Sequence, residues 1–534
     1  MTESGVSTET TAYVAQTNQD GAANLPAAGP LYEEAQRMLL AVPDVPAVPS
    51  RDRKSQNMVW DFVGFDYVAD TELDSGPPSV AAVLLRQGQL HPAGLFVVAQ
   101  DRYRGVYQVR GYDLANLTIV SGASGLVVID PLGSYETCRA ALKCYRDKYE
   151  EGQSARPVTA VIYTQSGVDH YGGVRGLFAD AGDQVPKDLK VYAPEGFLAD
   201  AVLRQVTEGA HTARLIDYAY GTRLDIDPHG LVDSDLGRTV SVGDATFVAP
   251  TDTVGGLIPA ATAQNQWPAW TGITWREGLY AIEIDGVKLV LQPSGGHASP
   301  AELNLYLPEV HLVHLAGPGL LGGPGRARAA FLDATLTAFA DTAVTGSSAY
   351  GAPVWPNDES KDRVKQWITA HRDAAAVTPL PDAGAARALL ATPGYAGTPT
   401  RTVREVWARI SGTDLGVAQL AVTAKATLLA PGSATKAIDS AQHAYDSNDY
   451  AQTVLLLDPV ISASSIPLAI NSKTEQQART LQANALTQLG YLTGHGRLRN
   501  ALLTAARDVQ NPGSILTRFP QTIADLAAAA NPLT

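Results

Sequence analysis

From Gly94 to about Pro356, short apolar runs bounded by Gly, Asp and Pro alternate with helical periodicity; after about residue 357 strand patterns vanish. That switch constrains the fold more than any other feature. GVYQVRG, LTIVSG and GLVVIDP read as strands. SYETCRAALKCYRDKYEE then spaces its apolar residues by three and four behind a serine cap, which predicts a helix. VTAVIYT, TFVAPTD, LYAIEID, VKLVLQP and VHLVHLAG read as further strands, so residues 94–356 form a layered α/β domain with mixed sheets. DRVKQWITAHRDAAA, TVREVWARI, GVAQLAVTAKATLL, TKAIDSAQHAYDSNDYAQTVLLLDPVI and TEQQARTLQANALTQLGYL all carry helical spacing. Residues 357–534 are therefore read as an all-α domain with a packing or dimerising role. Residues 31–93, opening with a short helix from Leu31 to Leu40, are read as a lead-in that wraps the larger domain. Residues 1–30, rich in Ser, Thr, Asn, Gly and Ala, are read as a flexible arm.

Composition narrows the function classes. A hydrophobic content of 45% with 18% charged residues is that of an ordinary globular chain. The net charge of -14 repels polyanions, which argues against nucleic acid as a partner. No apolar run approaches the roughly 20 residues needed to span a bilayer. The first residues lack the basic and apolar regions of a secretory signal. Cys138 and Cys144 are too few for a disulfide framework or a thiolate cluster. A cytoplasmic location is the expectation.

Directly after VTAVIYT comes Gln165-Ser166-Gly167-Val168-Asp169-His170-Tyr171-Gly172-Gly173. This stretch resembles the metal loop of the metallo-β-lactamase superfamily, in which Thr-His-x-His-x-Asp-His closes a strand. Several imidazoles and a carboxylate on one tight loop can hold two metals and activate a water between them. Here Gln165 and Gly167 stand where that pattern has its first two histidines, and only Asp169 and His170 remain. An amide is a poor zinc ligand and glycine is none. Left to itself, an Asp-His pair is a loop hydrogen bond.

The neighbourhood resembles one family in particular, the alkyl sulfatases. Val59-Trp60-Asp61, Leu85-Arg86-Gln87-Gly88-Gln89-Leu90, Arg110-Gly111-Tyr112-Asp113-Leu114-Ala115-Asn116 and Ile129-Asp130-Pro131-Leu132 carry the likeness. So do Tyr218-Ala219-Tyr220-Gly221, Ala249-Pro250-Thr251, Pro300-Ala301-Glu302-Leu303-Asn304-Leu305-Tyr306 and the helices from Ala441 to Val509. The resemblance covers residues 55 to 510. It implies an αββα sandwich followed by a helical dimerisation domain, hence a homodimer. The remaining ligand positions it implies carry Gly296-His297-Ala298-Ser299, Ala316-Gly317-Pro318 and Pro353-Val354 ahead of Trp355-Pro356. Of these only His297 offers a substitute. A stable zinc site needs three or four protein ligands, so neither metal nor any other cofactor is expected.

Loss of the metal leaves other chemistry open. If the substrate carries its own nucleophile, the protein need only orient it, accept a proton and hold the departing sulfate. The expected function is thus metal-independent: an amine within a sulfated intermediate expels sulfate to close an aziridine or azabicyclic ring in a natural-product pathway, as in azinomycin-type antibiotics. Asp169 and His170 are the candidate proton acceptors. The resemblance places Tyr218 and Tyr220 near the sulfate, and puts Arg326 or Arg328 near a sulfate-binding arginine; Gln165 completes the candidate substrate contacts. His311 and His314 lie on an apolar strand and are read as packing residues. The family also continues into a lipid-binding module resembling sterol carrier proteins; a separate small subunit of that kind is an expected partner. Two other functions fit the same residues: an inactive scaffold that binds a partner, and an alkyl sulfatase hydrolase with an unconventional metal site.

Overall fold

The computed structural model describes all residues except 1–4, 25–27, 53–56, 72–75, 102–104, 152–153, 256–267, 296–300, 318–324, 358–361, 377–385, 392–397, 412–419, 421, 425–427, 429–431, 465–471 and 512–534. Among the described residues the first sheet has eight strands, in the order Leu39–Ala41, Gly94–Gln100, Gly105–Arg110, Leu117–Ser121, Leu126–Ile129, Val158–Ile162, Lys190–Pro194 and Asp252–Val254. Pairing is antiparallel as far as Leu126–Ile129 and parallel beyond it. The second sheet runs Tyr280–Ile284, Val287–Pro293, Leu303–Leu307, Leu312–Leu315 and Thr345–Ser348, with only its last pair parallel.

Strands with both faces covered must be apolar on both, and these are. Val98, Val120, Ile129 and Ile162 of the first sheet pack against Leu289, Leu291, Leu303 and Leu305 of the second. The helix Tyr135–Tyr149 covers the outer face of the first sheet with Cys138, Leu142 and Tyr145. Its cap is the predicted one: Ser134 Oγ accepts from the Thr137 amide at 3.3 Å. Helices Arg326–Phe339 and Arg363–Ala376 bury Leu332, Phe339, Val364 and Ile368 against Val290, Tyr306 and Val313 of the second sheet. The result is an αββα sandwich.

Helices Pro399–Ser411, Ser433–Asp446, Tyr450–Ser464, Ser472–Tyr491 and Gly496–Gln510 follow. They share a core with the sandwich, because Trp407, Leu486, Leu489, Leu498 and Leu502 belong to the same buried cluster as Leu117 and Val161. One fully buried cation helps tie the regions together. Arg499 is fully buried and donates to the carbonyls of Ser79 (2.6 Å), Pro228 (2.7 Å), Gly230 (3.2 Å) and Gly490 (3.4 Å).

Three local expectations differ from the structure. The arm contains a helix, Thr8–Asn24, held at its start: Val6 is buried with Tyr491 and Leu503, and Gln488 accepts from Ser7 N (3.1 Å) and Thr10 Oγ1 (2.8 Å). Local polarity suggested freedom; a distant amide removes it. The helix expected over Leu31 to Leu40 is Ala28–Ala35, and Leu39–Ala41 instead joins the sheet edge beside Leu95 and Phe96. Unpaired strand groups at that edge win over helical spacing. TFVAPTD is not a strand over its first residues; pairing starts at Asp252, beyond Pro250, which has no amide to donate. Most of GVAQLAVTAKATLL lies outside the described residues.

Arg499→Met should cost about 3 kcal/mol or more in unfolding free energy, because four buried carbonyls lose their donor together. Chemical denaturation followed by circular dichroism checks this.

Candidate active site

The parallel half of the first sheet places the carboxyl ends of two neighbouring strands side by side. Asp130 follows Leu126–Ile129 with a left-handed backbone (φ 53°), which Asp tolerates better than most side chains. Its two oxygens accept from the Thr164 amide (2.8 Å) and hydroxyl (2.7 Å), clamping the turn that leaves Val158–Ile162. The turn then tightens into Val168–His170 and carries Asp169 and His170 inward, 1% and 0% exposed.

His170 Nδ1 lies 3.1 Å from Asp130 Oδ2, so its other nitrogen is aimed away, at the Tyr350 hydroxyl 2.8 Å off. Tyr350 in turn donates to Asp169 Oδ2 at 2.5 Å. With that hydroxyl proton committed to Asp169, His170 Nε2 is the donor to Tyr350, so both ring nitrogens face acceptors, the arrangement that favours the protonated ring. Burial alone would lower the His170 pKa, but Asp130 and Asp169 outweigh it and raise it to about 9. Burial pushes the Asp169 carboxyl up, against the pull of His170 and Tyr350. Beneath the pair, burial lowers His314 to about 4, and its Nδ1 meets Ser347 Oγ at 2.9 Å.

This donor set does not fit the zinc centre that the fold implies. Gln165 spends its amide on the Gly317 carbonyl at 3.1 Å. Gly167 offers no side chain to ligate, and Asp169 Oδ1 lies 2.5 Å from where its Cβ would be. Glu302, paired to Gln165 through a β-bridge, is neutralised by Arg328. Val354 only pairs its backbone with Gly346. Among the described residues no group of three or more His, Cys, Asp or Glu side chains is placed to hold a metal. The candidate substitute His297 lies outside the described residues.

In front of this network is a cavity of about 380 Å³ between the sandwich and the helical segment. Tyr350 lines it; Asp169 and His170 sit behind that ring and do not. Its cations are Arg328, held by Glu302, and Arg497, whose amide and Nε contact Asp235 at 3.1 and 3.4 Å. Arg497 also bonds the buried Tyr220 side chain, while its Nη1 is buried without a partner.

The structure therefore gathers Asp169, His170 and Gln165 on one turn, sets Arg328 on the cavity wall and seats Tyr220 behind Arg497. Two expected residues lie elsewhere. Tyr218 donates to Asp508 at 2.6 Å, between helices Gly209–Tyr220 and Gly496–Gln510, and does not line the cavity. Arg326 is exposed in the first turn of its helix. Sequence reading missed Tyr350, Asp130, Glu302 and Arg497. Asp130 and Glu302 stand inside the family-like stretches; Tyr350 and Arg497 carry no local signal.

Comparison with known proteins identifies the family and the fold. Residues 110–273 match the metallo-beta-lactamase superfamily and residues 371–512 match alkyl sulfatase dimerisation. The chain is 31% identical over 503 residues to a linear primary-alkylsulfatase of Pseudomonas sp., covering 88% of this chain and 68% of that protein. An (R)-specific secondary-alkylsulfatase of Pseudomonas sp. is 29% identical over 540 residues, covering 94% and 74%. Among solved structures, the stereoselective inverting sec-alkylsulfatase Pisa1 from Pseudomonas sp. superposes with a TM-score of 0.72 at 27% identity, covering 95% of this chain and 78% of its own. A double mutant of that sulfatase gives 0.73 at 28%, covering 98% and 82%. The fold is that of the metallo-β-lactamase superfamily. Within it, the chain belongs to the alkylsulfatase family. The dimerisation match supports a homodimer, and among the described residues no helix is long and apolar enough to cross a membrane.

Two outcomes follow. Because the donor set is not a zinc site, neither chelator nor added zinc should move the melting temperature by more than about 1 °C, as differential scanning fluorimetry would show. The folded His170 pKa exceeds the unfolded value of 6.5, so its stabilisation is complete below pH 6.5 and lost as pH rises through about 9. The unfolding free energy should fall across that window, and His170→Gln should flatten the slope.

Proposed function

We propose that this chain releases sulfate from an alkyl sulfate ester without a metal, the attacking group being an amine within the substrate, so that an aziridine or azabicyclic ring closes. The observation that carries this reading is the Tyr350 hydroxyl bonded between Asp169 and His170, the two residues left of the resembled metal loop. The N–C bond forms as the C–O bond breaks, and the electron pair leaves with sulfate. Arg328 and Arg497 face the cavity as counter-charges for that departing anion, guanidinium being matched to oxyanions. Asp169 and His170 act through Tyr350, since neither reaches the cavity; they fix its hydroxyl and keep a cation close behind it. Excluding activated water protects a reactive sulfated amine from hydrolysis.

A second reading, sulfate-ester hydrolysis, is favoured by the names of the relatives. One reaction separates the two. A sulfated amino alcohol is incubated with the protein in water carrying heavy oxygen, alone and with a co-expressed sterol-carrier-like subunit. Free sulfate with an unlabelled cyclic amine is the expected product by mass spectrometry; a ring-opened amino alcohol, with the label in it or in the sulfate, would replace this reading with hydrolysis, and no turnover in either arm would favour the scaffold. Arg497→Met should raise KM for the sulfated substrate about tenfold, through loss of a charged hydrogen bond.

A further inference from the structure

The loop between helix Ala82–Gln89 and strand Gly94–Gln100 presents a histidine that neither the mechanism above nor the metal loop uses. His91 is fixed at every point except one. Its amide donates to the Gly88 carbonyl at 3.1 Å, and its own carbonyl accepts from Arg238 Nε at 3.2 Å. Its Nδ1 meets Asp233 Oδ2 at 2.7 Å. Asp233 is wholly buried, and its second oxygen is held by the Asp235 amide at 2.8 Å. The remaining nitrogen, Nε2, belongs to a side chain 9% exposed that lines the same cavity as Tyr350, Arg328 and Arg497 and also borders two neighbouring clefts.

This is the arrangement of an oriented base. A buried carboxylate on Nδ1 sets the tautomer with the proton there, leaving a lone pair on Nε2, and stabilises the imidazolium once a proton arrives. Bonding Nδ1 to Asp233 costs nothing in the cavity, whereas Asp169 and His170 are screened from it by the Tyr350 ring. The charged and titratable groups that bond His91 or line a pocket with it are Asp233, Asp235 and Arg238 on the loop packed against it, Arg110 and Asp113 of the sandwich, Asp66 of the lead-in, Arg497 from the helical segment, Arg328 and His371 from the outer helices, and Tyr350.

We propose that His91, oriented by Asp233, is the general base that takes the proton from the attacking nitrogen. This rests on the ring-closing reading. As the nitrogen lone pair makes the N–C bond, the C–O bond breaks, sulfate leaves with that electron pair, and the N–H proton passes to His91 Nε2. Charge and atoms balance: sulfate gains one negative charge and His91 one positive. The proton is later lost to solvent. His91 is thus a catalytic residue, and Asp233 a positioning one.

The test uses the full chain and a sulfated amino alcohol, following sulfate and cyclic product together. His91→Gln should lower kcat by about a hundredfold or more with KM little changed, the usual reach of a positioned base. The acid limb of the wild-type kcat/KM profile should vanish in the variant. His91→Ala should regain turnover when imidazole is added, a rescue that a merely structural role would not give. If wild type closes the ring and His91→Gln stays within about threefold with its acid limb intact, the assignment to His91 falls while the ring-closing reading stands. If wild type gives the amino alcohol instead, with the label in it or in the sulfate, the ring-closing reading falls and the assignment to His91 falls with it. No sulfate release at all overturns both.

Discussion

Two buried carboxylates, Asp130 and Asp169, face each other across one imidazole, and everything at the site is arranged around that fact. Leaving a carboxylate charge in a dry interior without a partner is costly. A metal cation answers that demand elsewhere in the superfamily fold. Here a charged His170 and the Tyr350 phenol answer it with hydrogen bonds. The change is chemical more than architectural. A metal polarises bound water into a nucleophile; an imidazolium capped by a phenol cannot. The cavity in front keeps Arg328 and Arg497 on its wall and has Tyr350 and His91 in its lining.

The sheets and helices were readable because apolar periodicity is a local property. The turn bearing Asp169 and His170 was readable for the same reason: its members are consecutive. The surrounding site was not. Tyr350 comes from the loop after Thr345–Ser348, and only the parallel pairing of that strand with Leu312–Leu315 brings it to His170. Arg497 opens a helix whose position depends on the docking of the whole helical segment. The arginine pair shows the limit plainly. Positions two apart on a helix point to different sides, so Arg326 faces outward while Arg328 reaches Glu302, and nothing in the local text chooses between them. Tyr218 and Tyr220 pose the same question at the end of Gly209–Tyr220, and the packing of Asp508 against the first and Arg497 against the second answers it.

The cavity wall draws on three stretches of chain: the sandwich through Tyr350, the lead-in through His91, and the helical segment through Arg497. Occupancy of the cavity and docking of those stretches are consequently linked equilibria. A ligand that binds only the assembled form adds RT ln(1 + [L]/Kd) to its stability, about 2.7 kcal/mol at a hundred times Kd. The same bookkeeping runs in reverse: a subunit contact that clamps the helices onto the sandwich would tighten affinity in the cavity without touching the substrate.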